Sequence, residues 1–279
     1  MFKLVTIAAM LMATPFAGAE RDERFSSDLN DYNLSMDRGD RIAVFARSKA
    51  DFAEARIMVS ERRRGKWSEP RPIGFTDPRY SDSDPWLTPD GQWLYFISNR
   101  PTADRPDKKD LDIWRSRRTV DGWAAPENLG PSVNSAGPEL GPELHHGSLY
   151  FGSARKGGKG GLDLYQAQAS GAGFEPAQPL GDPFNSAESE GDPTLSSDGM
   201  TAIFWRGGSP ARLMVSRRTA AGWSQPAALP EHINIGPFNF TPSFMADGKH
   251  ISFASTRLRE GQADGLADIY IALLPTFPK

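Results

Sequence analysis

Four acidic side chains and one amide recur at one place in the sequence: Asp31, Asp82, Glu139, Glu190 and Asn239. The last four stand three positions before a proline, at Pro85, Pro142, Pro193 and Pro242. Carboxylates gathered from separate segments could bind a cation or the basic group of a partner. Two of them, Glu139 and Glu190, could instead divide the roles of acid and base in cleaving a glycosidic bond. The same residues could also do no chemistry and accept backbone N–H groups where segments join. Their recurrence counts against catalysis, which needs unlike environments to drive two carboxyl groups apart. No catalytic residue is assigned on this basis. The set is expected to form a ring that binds a ligand or cation. A divalent cation is the one cofactor in prospect, with its identity unknown.

Other chemical candidates are weaker. Lys156-Gly157-Gly158-Lys159-Gly160-Gly161 could cradle a phosphate, but no helix follows to add its dipole. His145 and His146 are adjacent, whereas His232 and His250 fall elsewhere without ligand spacing. There is no Gly-x-Ser-x-Gly nucleophile motif and no cysteine. Trp67, Trp123 and Trp223 could stack on sugars, yet their equivalent places suit packing between repeats.

The elements that position these residues come from an internal repeat of about 50 residues. Each copy centres on a turn followed by an apolar run ending in Phe: Phe45, Phe96, Phe151, Phe204 and Phe253, spaced 51, 55, 53 and 49 apart. In copies two to five a proline-containing segment precedes the turn. A third segment follows a loop, as in Asp112-Ile113-Trp114, and a fourth follows a glycine, as in Gly122-Trp123. Four short antiparallel strands per copy predict an all-β, five-bladed β-propeller of four-stranded blades. Six blades, the alternative, would need a copy that the sequence does not contain. Near-continuous apolar runs suit strands buried on both faces, and no helical period separates them. The fifth copy stops after its third segment, so residues near 22–28, including Phe25, are expected to close the ring as its outer strand.

With these motifs in view, residues 31–274 resemble the TolB-type (WD-like) propeller repeats. The match is carried by Asp84-Pro85 through Ser98-Asn99-Arg100, Asp112-Ile113-Trp114, Gly122-Trp123 and Asn134-Ser135. The resemblance implies a propeller exported to the bacterial envelope. It implies no activity, because such repeats are scaffolds in unrelated proteins. Copies one and four depart from the pattern. Lys49 and Gly208 replace its Arg, and Arg56 and Arg212 replace its Asp. Where Arg100, Arg155 and Arg257 are present, Asp112, Asp163 and Asp268 are present too. Joint loss predicts structural pairs, Arg100–Asp112, Arg155–Asp163 and Arg257–Asp268, that pin each hairpin.

Residues 1–19 read as a secretory signal peptide, with Lys3, an apolar run over Leu4 to Met12, and Ala17-Gly18-Ala19. The remainder, 20–279, is expected to be one domain, monomeric, periplasmic or secreted, with no membrane span after cleavage. A net charge of -3 gives no reason to expect nucleic acid. Long polar loops such as Pro101 to Asp110 and Arg259 to Gly265 mark one face as the place for binding. The leading expectation is a non-enzymatic binding or scaffold module whose partner, an envelope protein or peptide, docks at the channel mouth on that face. The alternatives are a carbohydrate-active enzyme, a glycosidase or polysaccharide lyase, and a metal or small-ligand binder.

Overall fold

A computed structural model describes residues 18–259 and 265–276. Almost all of the expected leader lies outside these residues. Five antiparallel sheets share one plan, four strands each, arranged as the blades of a β-propeller. The innermost strands are Asn30–Met36, Asp82–Leu87, Glu139–His145, Glu190–Leu195 and Asn239–Phe244. The second strand of each blade is the apolar run found in the sequence. Its phenylalanines, Phe45, Phe96, Phe151, Phe204 and Phe253, are at most 1% exposed and fill the spaces between blades. This burial on both faces explains why the runs do not alternate.

The fourth strand is short. In four blades it is broken into two pieces that both pair with the third strand, as with Lys66–Trp67 and Arg71–Pro72 against Arg56–Arg63. Pro72 and Pro179 lie in such outer pieces, where no further strand needs a donor.

The N-terminus supplies the missing outer strand of blade 5. Glu20 and Arg21 pair with Ile271 and Tyr270, and Asp22 N–H continues the ladder to the Ile269 carbonyl at 2.8 Å. The strand thus begins earlier than the expected 22–28. The chain turns at Asp22, which accepts from the N–H groups of Phe25 and Ser26. Phe25 then leaves the ladder and is buried against Phe45 and Trp67. A polar Glu-Arg-Asp sequence carries no strand signal, whereas the visible aromatic belongs to the plug beside it.

Each innermost strand carries a bulge midway along its pairing with the second strand. The first bulged residue in every blade has a left-handed φ: Asn33 (53°), Asp84 (49°), Gly141 (53°), Asp192 (50°) and Thr241 (48°). In four blades the next residue is the recurrent proline, which has no N–H to leave unpaired in the bulge. A bulge re-aims the side chain it carries. Here it sets five equivalent residues around the axis.

Candidate functional site

The acidic set expected at the channel mouth is held elsewhere. Asp31, Asp82, Glu139, Glu190 and Asn239 are at most 2% exposed; the four acids are engaged within their own blade and the linker entering it, and Asn239 also donates to the Ala211 carbonyl of blade 4 at 3.4 Å. Glu139 accepts from Ser135 N–H (3.2 Å), the Ser135 hydroxyl (2.6 Å) and the Ser153 hydroxyl (2.9 Å). Glu190 is bound in the same way by Ser186, and Asp31 by Ser27. Asn239 accepts from the Ser255 hydroxyl at 2.8 Å. The Asn that precedes Ser135 and Ser186 mimics a strand: Asn134 and Asn185 exchange paired bonds with Ile113 and Leu164 of the third strand. The recurrent acid therefore locks the linker between blades. Glu139 and Glu190 do not face one another as an acid–base pair.

The arginine pairing is corrected. Arg100 binds Asp82, not Asp112, and Arg155 reaches Glu139 at 3.4 Å, not Asp163. Arg257 donates to Ser255 and the Ile233 carbonyl and makes no bond to Asp268. The cause is the segment entering the blade. Arg100 stacks over Phe75 and Tyr80 and donates to the Phe75 carbonyl, which holds the guanidinium on the inner-strand side. The third-strand acids turn to the second-to-third loops and the outer strands: Asp112 to Arg105 and Asn128, Asp163 to Gly160 N–H, Asp268 to Arg21 and Arg259. Copies one and four have not lost the arginine. It has moved two residues, to Arg47 and Arg206, cross-strand partners of Asp31 and Glu190, which bind them at 2.6 and 2.8 Å. A double-mutant cycle on Arg100 and Asp82 should therefore show a coupling of about 1–3 kcal/mol, and one on Arg100 and Asp112 should be near additive. Urea unfolding of the single and double alanine variants measures both.

The residues that do meet at the axis are the bulge residues and those two positions beyond them. Asp84 accepts from the Gly141 N–H of the next blade at 3.0 Å. Asp192 accepts from Thr241 N–H of the next blade at 3.1 Å and from the Trp205 indole at 2.8 Å. Thr241 in turn accepts from Asn33 N–H at 3.2 Å, again one blade on. Gly141 has no side chain, and Asp192 occupies the space where one would lie. Asp84 and Asp192 thus flank the same glycine. The second oxygen of Asp192 and the amide oxygen of Asn33 are buried without a hydrogen-bond partner. One layer along, Glu143 accepts from Leu195 N–H of the next blade at 2.9 Å.

These environments favour protonated carboxyl groups. Burial pushes Glu143 up to about 7. Burial also raises the Asp84–Asp192 pair. It carries Asp84 to about 6, and the neighbouring Asp84 charge adds to burial in bringing Asp192 to about 8. The linker acids Glu139 and Glu190 are raised by burial as well, but hydrogen bonds and the nearby arginines oppose it.

A cavity of about 160 Å³ opens at the axis on the short-turn face, lined by Ser35, Trp86, Glu143, His145 and Phe244 among others. It narrows inward to Asn33, Asp192 and Thr241. The other end lies on the long-loop face, where binding was expected. Phe52, in the second-to-third loop of blade 1, packs edge-on against Tyr32 and Phe240.

The remaining candidates are pinned in place. Lys159 pairs with Asp182, and Gly160 N–H donates to Asp163. Trp67 and Trp223 pack on Phe25 and Phe184 between blades, as expected. Among the described residues no three His, Cys, Asp or Glu side chains lie close enough to hold a metal ion.

No protein-family model matches the sequence, and no curated protein matches it. Solved structures do share the fold. An α-L-arabinofuranosidase from Lactobacillus brevis superposes with a TM-score of 0.58 at 13% identity, over 87% of this chain and 90% of that one. A thermostable family-43 glycoside hydrolase gives 0.60 at 10% identity, over 92% and 94%. The α-L-arabinanase of Penicillium chrysogenum, complexed with arabinobiose, gives 0.51 at 13% identity, over 92% and 98%. At these identities the likeness shows the fold alone. The TolB-type resemblance therefore holds as a five-bladed propeller and no further. The expectation of a non-enzymatic scaffold is not carried forward, because these three solved structures that share the fold are glycoside hydrolases.

Proposed function

We propose that this chain is a carbohydrate-active enzyme of the glycoside-hydrolase type, acting through the carboxyl groups of its central channel. The observation that carries the reading is the gathering of Asp84, Glu143 and Asp192 at the axis, with protonation raised to different degrees. Hydrolysis of a glycoside needs one carboxyl group that still holds a proton near neutral pH and one that does not. Glu143 lines the cavity and Asp192 its inner narrowing, and they would supply the proton. Asp84, the more acidic member of its pair, would stay ionised and draw the pair's charge to one side. The open cavity is smaller than the roughly 300–1,000 Å³ of a drug-sized ligand site, which suits a single terminal sugar. An arabinofuranosidase and a xylan β-1,4-xylosidase among the structural neighbours make α-L-arabinofuranosides and β-D-xylosides the first candidates. The leader-like residues 1–19 would place this activity outside the cytoplasm.

The test is release of nitrophenol from aryl α-L-arabinofuranoside and β-D-xyloside, and of sugar from arabino-oligosaccharides. Native protein should turn over at least one of them. Glu143→Gln and Asp192→Asn should each reduce the rate by roughly 10²–10⁴. No turnover on the whole panel, or unchanged turnover in both variants, rejects the reading.

A further inference from the structure

On the outside of the propeller, the hairpins of blades 1 and 2 form an open groove of about 700 Å³ that the channel chemistry does not use. Its walls hold five arginines, Arg41, Arg62, Arg63, Arg117 and Arg118, against two carboxylates, Glu61 and Asp90; Arg41 is also paired with the buried Asp37 at 2.8 Å, so the excess rests on the other four. The two hairpins touch directly: Glu61 binds Arg63 of its own strand at 2.8 Å and reaches Arg118 of blade 2 at 3.5 Å. The other carboxylate is already engaged, since Asp90 accepts from the Thr88 hydroxyl and Gln92 N–H. Arg64 and Lys66 at the tip of the first hairpin have no ion-pair partner among the described residues. This excess of cations stands on a chain whose net charge is -3.

The concentration is particular to this junction. At the places of Glu61-Arg62 and Arg117-Arg118, blade 3 has Gln168-Ala169 and blade 5 has Leu273-Leu274. Blade 4 does carry Arg217-Arg218, but both its neighbours are uncharged there. Arginine, unlike lysine, presents a planar fork that matches a carboxylate or sulfate with two parallel bonds. An open groove suits an extended chain better than a compact ligand.

We infer that this arginine groove binds an anionic polysaccharide, a chain bearing repeated carboxylate or sulfate groups. The choice of a glycan among polyanions rests on the function proposed above; the groove itself rests on its charge and shape. Affinity electrophoresis through gels containing polygalacturonate tests it, with neutral arabinan as the comparison. Native protein should be retarded by polygalacturonate and not by arabinan. Retardation should fall by about ten-fold in apparent affinity between low salt and about 0.3 M salt. Arg62→Ser/Arg117→Ser should lose most of the retardation with an unchanged melting temperature, because both side chains are exposed. Asp192→Asn should be retarded like native protein, so failure of the channel chemistry leaves this result standing. No retardation, equal retardation of the arginine variant, or binding to phosphatidylglycerol vesicles without binding to polygalacturonate overturns the inference.

Discussion

At pH 8.5 the Asp192→Asn variant should melt well above the native protein, and at pH 4 the two should melt alike. In the unfolded chain Asp192 ionises near 4, whereas in the folded chain its proton is held to about 8. Below the unfolded value both states are neutral at this residue and it costs folding nothing. Stability is then lost as pH rises from about 4 through the folded value, because only the unfolded state gives up its proton freely. The loss is on the order of several kcal/mol at high pH, at about 1.4 kcal/mol for each pH unit that separates the two ionisations. Asparagine has the same shape, and its carbonyl oxygen can still accept from the Trp205 indole and Thr241 N–H. It has no proton to lose, so it escapes the alkaline penalty. For a chain of this size that corresponds to a difference of at least about 5 °C. Differential scanning fluorimetry across pH 4–9 gives the comparison. A constant offset between the two proteins at every pH would show that Asp192 is an ordinary carboxylate.

Gly141→Ala should be the most damaging single methyl addition on the axis. Gly141 has a φ of 53°, which alone costs an L-residue about 1–2 kcal/mol. A Cβ there would also fall 2.7 Å from the Asp192 Cα and closer still to its carboxylate. A flexible side chain could give way, but a Cα of the neighbouring innermost strand cannot do so without moving that blade. The combined loss should exceed about 4 kcal/mol, or leave the protein insoluble. Gly147→Ala is the control. Its φ is 78°, but the nearest atom is a Gln168 side-chain nitrogen at 3.4 Å. It should show the backbone cost of about 1–2 kcal/mol and little more. Equal losses in the two variants by urea unfolding would mean that blades 3 and 4 do not meet as closely as described.

The architecture was legible because a propeller writes its blades into the sequence. Five phenylalanines at near-equal intervals and a Pro-turn-strand order repeated in four copies leave little else to build. Blade 1 shows how far this tolerates change. Its turn reads Gly39-Asp40 where copies two, four and five read Asp-Gly, and Asp40 itself adopts a φ of 48°. The ion pairs were misread for a physical reason. Joint loss of Arg and Asp in copies one and four looked like loss of a pair, but Arg47 and Arg206 reach the same carboxylate from two residues earlier. Position in an aligned repeat does not fix where a long side chain ends.

The channel carboxyls were hidden more deeply. Asp84 and Asp192 stand in plain view before the recurrent prolines, and the equivalent residues are Asn33, Gly141 and Thr241. What turns them to the axis is a bulge with positive φ, which the two-residue period of a strand does not announce. What raises their pKa is burial beside one another, a property of the closed ring and not of any one copy. The cavity opens among the short first-to-second turns, a feature that loop length does not announce.

The fitness of the channel carboxyl groups for acid–base work depends on their holding protons near neutral pH. Following the side-chain carboxyl carbons of ¹³C-labelled protein by NMR as pH is raised puts this to a direct test. One carboxyl resonance should still titrate above pH 7 and be absent from Asp192→Asn, and a second should titrate near 7 and be absent from Glu143→Gln. If instead every aspartate and glutamate titrates below about pH 5, in the ordinary carboxylate range, the channel holds no such acid and the proposed chemistry fails with it.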